Sequence, residues 1–315
     1  MTPPISDLCL CAAQLSMKDS PMIAVHPEKP VIIAGPTASG KSALALHIAK
    51  AQGGVIVNAD ALQAYKGWPI LTAQPDATDL AKAPHVLYDH AEFDASFTLG
   101  DWLRDLAPYL TGGPRPIIVG GTGLYLSTLV RGISNIPETP PALREQSSAL
   151  DLEAMIPALD HETRALIDLN NTRRVQRAWE VQQMTGEGMA AWHQRRTPPL
   201  LPAQDATCIV IDAPKDWLTP RIEHRFDLMM AAGALDEARA MYPNWDPDLQ
   251  SSKAIGARWM IAHIEGKMPM HEVRERTIVA TRQYAKRQRT WFRSNMADWQ
   301  SLPISSTNLS TAITC

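Results

Sequence analysis

Cysteine is scarce in this chain, and its spacing excludes two whole classes of protein. The four present, Cys9, Cys11, Cys208 and Cys315, fit neither a zinc site nor a disulfide framework, and so few suit a reducing, cytoplasmic compartment. Nine histidines are scattered without a ligand spacing such as H-E-x-x-H, so no structural metal is expected. Long hydrophobic runs are missing too. No apolar stretch approaches the roughly 18–20 residues that span a bilayer, which argues against a membrane partner. The first thirty residues lack a charged start followed by a long apolar stretch, so they read as a flexible extension rather than a signal peptide, with Met17 or Met22 as alternative starts. Excess charge of one sign is absent as well: the net charge is −3, so any basic surface has to be local. What remains is an ordinary globular composition, 45% hydrophobic and 20% charged, in a chain whose 315 residues suffice for about two domains. Nothing in it demands an oligomer, and a monomer is expected.

What is present begins with "VIIAGPTASGKSALAL" (31–46), an apolar run, a glycine-framed turn and a second apolar run. The turn, Gly35, Pro36, Thr37, Ala38, Ser39, Gly40, Lys41 and Ser42, matches G-x-x-x-x-G-K-[ST]. Its glycines let backbone amides turn inward around phosphate oxygens, Lys41 adds a mobile cation, Ser42 is placed to hold Mg²⁺, and the following helix adds its dipole. The bland alternative is a tight turn without a ligand.

"VIVNADALQAY" (55–65) ends a second apolar run at Asp60. Asp60 with Gln63 three residues on reads as a helix capping box. Asp60 also falls at the carboxyl edge of a strand, where open α/β sheets bind ligands and where a carboxylate can hold Mg²⁺ or take a proton from a nucleophile. "PIIVGGTGLYL" (116–126) is a third strand, turn and helix, whose Thr122 is expected to point into the same cleft. This strand ends in glycines where an ATPase places its Walker-B aspartate, which argues against ATP hydrolysis and for diphosphate bound to another end.

With a fourth run at Cys208–Ile211, the pattern predicts an α/β fold, a P-loop NTPase-like parallel sheet flanked by helices. Two proline-rich stretches, "IPETPP" (136–141) and "TPPLLP" (197–202), bracket a polar segment expected to be a small helical insertion domain over 136–202. The core is then 31–135 with 203–300, after an extension at 1–30 and before a polar tail at 301–315.

Local basicity gathers in "HEVRERTIVATRQYAKRQRTWFR" (271–293). On a helical wheel Arg282, Lys286, Arg289 and Arg293 form one stripe, opposite an apolar seam of Val273, Thr277, Ala280, Tyr284 and Trp291. No acidic residue interrupts the stripe, a spacing suited to a nucleic-acid backbone, although a solvated face is the ordinary reading of such runs. "NNTRRVQRAWEV" (170–181) places Arg173, Arg174 and Arg177 on adjacent turns, "SSKAIGAR" (251–258) adds Lys253 and Arg258, and "RIEHRF" (221–226) sets Arg221 and Arg225 one turn apart.

Taken together, GPTASGKS, DALQAYKG, "APH" (83–85), GGTGLYL, NNTRRVQRAWEV, RIEHRFDLM, KAIG and RQYAKRQRTW run in the order that resembles the bacterial tRNA dimethylallyltransferases of the IPP transferase family, from about residue 31 to 293. The resemblance implies transfer of a dimethylallyl group from dimethylallyl diphosphate to N6 of the adenosine just 3′ of the anticodon, assisted by Mg²⁺. It implies that Lys41, Ser42 and the loop amides hold the diphosphate with Arg225, joined by Arg221, that Asp60 accepts the amine proton, and that Thr122 lies at the reacting centre. It assigns to the tRNA anticodon stem-loop Asp60, Ala61, Leu62 and Gln63, then Arg144, then Arg173, Arg174, Val175, Gln176 and Arg177. Lys253 and Arg258 follow, with Lys286, Arg287, Arg289 and Arg293 last. Three positions depart from the family pattern: Ala61 stands for a serine, Asn171 for an aspartate and Ala257 for a tyrosine. Rival readings are a prenyltransferase acting on a free adenine nucleotide, a nucleotide kinase, and a catalytically silent tRNA-binding protein.

Overall fold

The structure, a computed structural model, describes residues 23–304 and the short strand at Ile313–Thr314. Cys9, Cys11 and Cys315, with most of the expected extension and tail, lie outside the described residues. Among the described residues no helix is long and apolar enough to cross a membrane. The chain divides into two compact units: Val130–Leu200, and the segments on either side of it.

The flanking segments build the sheet. After β1 (Ile23–Ala24), β2 (Val31–Ala34), β3 (Val55–Asn58), β4 (His85–Val86), β5 (Pro116–Gly120), β6 (Thr207–Asp212) and β7 (Gln300–Pro303) form one six-stranded parallel sheet. Its spatial order is β4-β3-β5-β2-β6-β7, while β1 pairs separately with β8 (Ile313–Thr314). Val31, Ile32, Ile33 and Ala34 expose no surface, because a parallel strand with helices on both faces has no solvent side. Ile32 sits opposite Ile118 on one neighbour and Cys208 on the other. Burial pushes the Cys208 thiol up to about 12, so this cysteine packs rather than reacts. The helix Lys41–Gln52 lays Leu44, Ala45, Ile48 and Ala49 into the core.

The four expected strands are all in the six-stranded sheet, and its other two were not anticipated. His85–Val86 is too short to show a periodicity, and Gln300–Pro303 carries a single aliphatic residue, Leu302. The latter moves the boundary of the expected tail: residues 301–303 lie in the edge strand, and Leu302 and the following Ile304 are buried. At the other end Val25 is likewise part of the core, so the described end of the expected extension is anchored.

The unit Val130–Leu200 is helical, with Pro141–Ser148, Leu152–Met155, His161–Leu166, Thr172–Thr185 and Met189–Gln194 around a small core of Met155, Leu159, Val175, Trp179 and Val181. A polar knot closes it. Glu180, 4% exposed, accepts hydrogen bonds from the Thr139 and Ser147 hydroxyls and pairs with Arg177. Asn171 caps the helix Thr172–Thr185 by accepting from the Arg174 amide at 3.2 Å, the role an aspartate would fill there.

Candidate active site at three adjacent strand ends

Strand order makes the site. β5 lies between β3 and β2, so the turn that follows it (Gly120–Thr122) sits between the Asp60 loop and the phosphate loop. The cleft is therefore built where the carboxyl ends of three neighbouring strands converge.

The phosphate loop leaves β2 and enters the helix Lys41–Gln52 through left-handed backbone at Ala38 (φ 62°) and Gly40 (φ 88°). An alanine in that region costs roughly 1–2 kcal/mol, strain of the kind held at ligand sites. The Ser39 amide donates to the Pro36 carbonyl at 3.2 Å, and the Ser39 hydroxyl is buried with no partner among the described residues. Lys41 is 8% exposed. Burial lowers its ammonium to about 8, Asp60 opposes the shift, and the half-buried Arg225 adds to it. Burial likewise lowers the Arg225 guanidinium while the Asp60 charge raises it. Two cations and one carboxylate thus share a desolvated space, a balance that a bound anion would complete.

Asp60 is held by its own backbone. Its amide donates to the Asn58 side-chain oxygen at 2.8 Å, and its Oδ1 accepts from the Leu62 amide at 3.1 Å. The Asn58 side-chain nitrogen donates to the carbonyls of Asp60 and Leu87, while the Trp102 indole donates to the Asn58 carbonyl. Thr122 is tied to the same loop: its hydroxyl oxygen accepts from the Ala61 amide at 2.9 Å and its amide donates to the Ala59 carbonyl. The link runs through the Ala61 backbone, so the missing serine side chain leaves it intact. Burial, helped by the Asp60 charge, raises the phenols of Tyr88, Tyr125 and Tyr284, so these rings stay neutral around the carboxylate. Gly120 is required by contact, since a Cβ there would overlap the Ala59 carbonyl.

Several expectations need correction. The capping box does not form: Asp60 enters a turn, and Gln63 is buried with its amide nitrogen donating to the Thr72 and Ala73 carbonyls. Gln63 therefore braces the loop. Val175 is fully buried in the helical unit, so its side chain packs in that core. Arg177 turns inward to Thr139, the Pro137 carbonyl and Glu180, and Gln176 donates to Ser147 and Ser148, whereas Arg173, Arg174 and Arg144 are exposed. Arg221 stacks 4.2 Å over Trp217 and its Nε donates to the Ala38 carbonyl of the phosphate loop. Lys253 and Arg258 are exposed, the first donating to the Pro247 carbonyl and the second lying 5.1 Å over Trp259. Ala257 is fully buried, so no side chain reaches outward from that position.

The helix Met270–Asn295 also sits differently from its wheel. Val273, Thr277, Ile278, Ala285, Gln288 and Phe292 are its buried residues, with Ala280, Tyr284 and Trp291 only partly covered. The inward face is turned by roughly 70° from the expected seam, at 100° per residue. The turn comes from Ile278, Ala285 and Phe292, which lie beyond the expected seam, while the inward Gln288 falls between the two faces. Gln288 bridges two site loops: its Oε1 accepts from the Thr37 amide at 2.8 Å and its Nε2 donates to the Gly121 carbonyl at 2.9 Å. The Thr37 amide is thereby engaged by protein and not offered to phosphate. Neither Gln288 nor Asn58 was singled out from sequence; the signal for Gln288 was its place at i+3 from Ala285 and i−4 from Phe292.

The cations of that helix separate by partner. Arg274 and Arg276, in the first half, pair with Asp227 and Glu272. Among the described residues, Arg282, Lys286, Arg289 and Arg293 have no carboxylate partner, and all but the partly covered Arg289 are exposed. Arg287, also exposed, lies 5.8 Å from the Tyr284 ring centre.

Known proteins resemble this chain over most of its length. A family model described as IPP transferase matches residues 63–295, and one described as isopentenyl transferase matches residues 29–93. The chain is 55% identical over 273 residues to a tRNA dimethylallyltransferase of Ruegeria sp. (strain TM1040), covering 87% of this chain and 95% of that protein. It is 56% identical over 275 residues to a tRNA dimethylallyltransferase of Roseobacter denitrificans, covering 87% and 99%. Among solved structures, the tRNA isopentenylpyrophosphate transferase of Bacillus halodurans superposes with a TM-score of 0.64 at 30% identity, over 90% of this chain and 92% of that one. A eukaryotic dimethylallyltransferase acting on tRNA reaches a TM-score of 0.76 at 24% identity, over 90% and 75%, a likeness of fold.

Proposed function

The chain belongs to the IPP transferase family, and from that premise we propose that it transfers a dimethylallyl group from dimethylallyl diphosphate to N6 of the adenosine just 3′ of the anticodon in tRNA. Its activity is that of a tRNA dimethylallyltransferase. The observation that carries the finer reading is the convergence of a phosphate loop, Thr122 and Asp60 at three adjacent strand ends, with glycines in place of an ATPase carboxylate.

The chemistry follows from those groups. The bond between the allylic carbon and the diphosphate oxygen breaks, and its electron pair leaves with diphosphate. Lys41, Arg225 and the free loop amides stabilise the negative charge that develops there, in a space already desolvated. The adenine amine is a weak nucleophile, so its placement matters most; its lone pair forms the new C–N bond and the Asp60 carboxylate receives the proton. Thr122 accepts from the Ala61 amide, which leaves its O–H free to donate to a substrate oxygen. The target base is extruded from its loop to reach this depth.

Mg²⁺ fits as a companion of the donor rather than as a resident ion. Among the described residues no group of three or more His, Cys, Asp or Glu gathers to hold a metal. Ser42, exposed at the start of its helix, would join the donor's phosphate oxygens and waters around it, the environment Mg²⁺ prefers. Bound there, the ion supplies neutralising charge for the leaving diphosphate.

RNA is assigned to Arg282, Lys286, Arg289 and Arg293, which have no carboxylate partner among the described residues, with Arg287, and to exposed Arg144, Arg173, Arg174, Lys253 and Arg258. Labelled dimethylallyl diphosphate incubated with an anticodon stem-loop, with AMP and with ATP tests the reading. Label in the RNA alone is expected; label in a free nucleotide, or ATP hydrolysis without transfer, overturns it.

A further inference from the structure

The structure assigns Gln288 a role no motif predicts: we propose that it is a positioning residue, clasping the phosphate loop to the Gly120–Thr122 turn and so setting the distance between the diphosphate donor and the acceptor base. The assignment rests on the transferase reading above.

Gln288 is 5% exposed on the inward face of the helix Met270–Asn295. A primary amide taken out of water is costly unless both its ends are paired. Here both are, and both to backbone: the oxygen accepts from the Thr37 amide at 2.8 Å, the nitrogen donates to the Gly121 carbonyl at 2.9 Å. The partners stand 251 and 167 positions away in the chain and belong to two different strand-end loops. One of these loops carries Lys41, and the other carries Thr122, which is itself bonded to the Asp60 loop. The length of one amide group therefore sets the gap between the donor side and the acceptor side of the cleft. Contact shapes the other loop to match, because a Cβ at Gly121 would overlap the Gln288 nitrogen and lie 3.4 Å from the Asp60 carboxylate. Transfer requires reacting atoms within about 3–3.5 Å of one another, so a loosened clasp slows chemistry before it weakens binding.

Two variants test this. Gln288→Met keeps the volume and removes both hydrogen bonds. Its kcat is expected to fall about 10- to 100-fold, with stem-loop affinity held within about threefold because the flanking cations are untouched. Amide exchange at Thr37 is expected to accelerate in the same variant, a readout independent of turnover. Gln288→Glu supplies a pH readout. The protonated acid can accept from Thr37 and donate to Gly121, whereas the carboxylate repels the Gly121 carbonyl. The titratable groups near it are Tyr284 on its own helix, beside which Arg287 also lies, and Asp60 next to Gly121, whose charge is in turn felt by Lys41 and Arg225. Activity relative to wild type at each pH is expected to rise at least about fivefold from pH 8 to pH 6 as the acid protonates. A Gln288→Met enzyme with kcat within about twofold of wild type, unchanged Thr37 exchange, or a flat pH ratio for Gln288→Glu overturns the proposal. Failure of the wild type to prenylate the stem-loop instead overturns the transferase reading, while the exchange measurement still reports on the clasp.

Discussion

Neutralising Lys286 and Arg293 together, as Lys286→Gln with Arg293→Gln, should weaken tRNA binding in a salt-dependent way that the neighbouring arginines cannot mimic. Both side chains are exposed on the helix Met270–Asn295, and neither has a carboxylate partner among the described residues. Each phosphate contact releases condensed counterions, so log K falls with log salt by about 0.7–0.9 per contact. Losing two contacts therefore flattens the slope by about 1.5. Between 50 and 200 mM KCl the wild type should lose about eightfold more affinity than the double variant. The control is built into the same helix: Arg274→Gln with Arg276→Gln removes equal charge, but Asp227 and Glu272 already pair those arginines, so the slope should stay within about 0.3 of wild type. Fluorescence anisotropy of a labelled anticodon stem-loop across a salt series measures both. Equal effects from the two pairs, or no change in slope from Lys286 and Arg293, would refute the assignment of RNA to the unpaired half.

Three further outcomes are expected. Asp60→Asn should retain stem-loop affinity while single-turnover transfer falls about 10²- to 10⁴-fold, the usual range for a lost proton acceptor; an unchanged rate would remove Asp60 from that role. Lys41 is lowered to about 8 by burial, so the free enzyme loses its ammonium as pH rises through that value. The kcat/KM for the diphosphate donor should then decline on the alkaline side, and a profile flat to pH 9.5 would contradict it. Gly120→Ala should lower Tm by on the order of 5 °C or more, since its Cβ would overlap the Ala59 carbonyl; calorimetry showing no shift would mean the two loops part freely.

Features confined to a short run of residues were legible before any coordinates. Strand, glycine turn and helix at 31–46, an aspartate at the end of one strand and glycines at the end of another are local patterns, dictated by backbone dihedrals and burial, and the strands at 31–34 and 55–58 fall where the apolar runs place them. Side-chain roles were less legible. Arg177 and Gln63 look like recognition residues in sequence but are engaged inside the protein, and Val175 lies in a core. Periodicity placed the inward face of the long helix too far round, because Ile278, Ala285 and Phe292 fall outside the expected seam, and it counted the buried Gln288 as polar, since a hydrophobic scale has no entry for an amide paired by protein.

The amino-acid order by itself determined that one strand would run into a G-x-x-x-x-G-K-[ST] turn and another would end in glycines rather than an ATPase's carboxylate, because both facts lie within a few residues of a strand end. Tertiary structure alone decided that β5 would lie between β3 and β2, bringing Thr122 between Lys41 and Asp60, and that Gln288 would join two of the loops. It also decided which arginines of the helix Met270–Asn295 have no carboxylate partner among the described residues. The reason is the range of the interactions: strand order and buried hydrogen bonds couple residues hundreds of positions apart, and no local pattern carries that information.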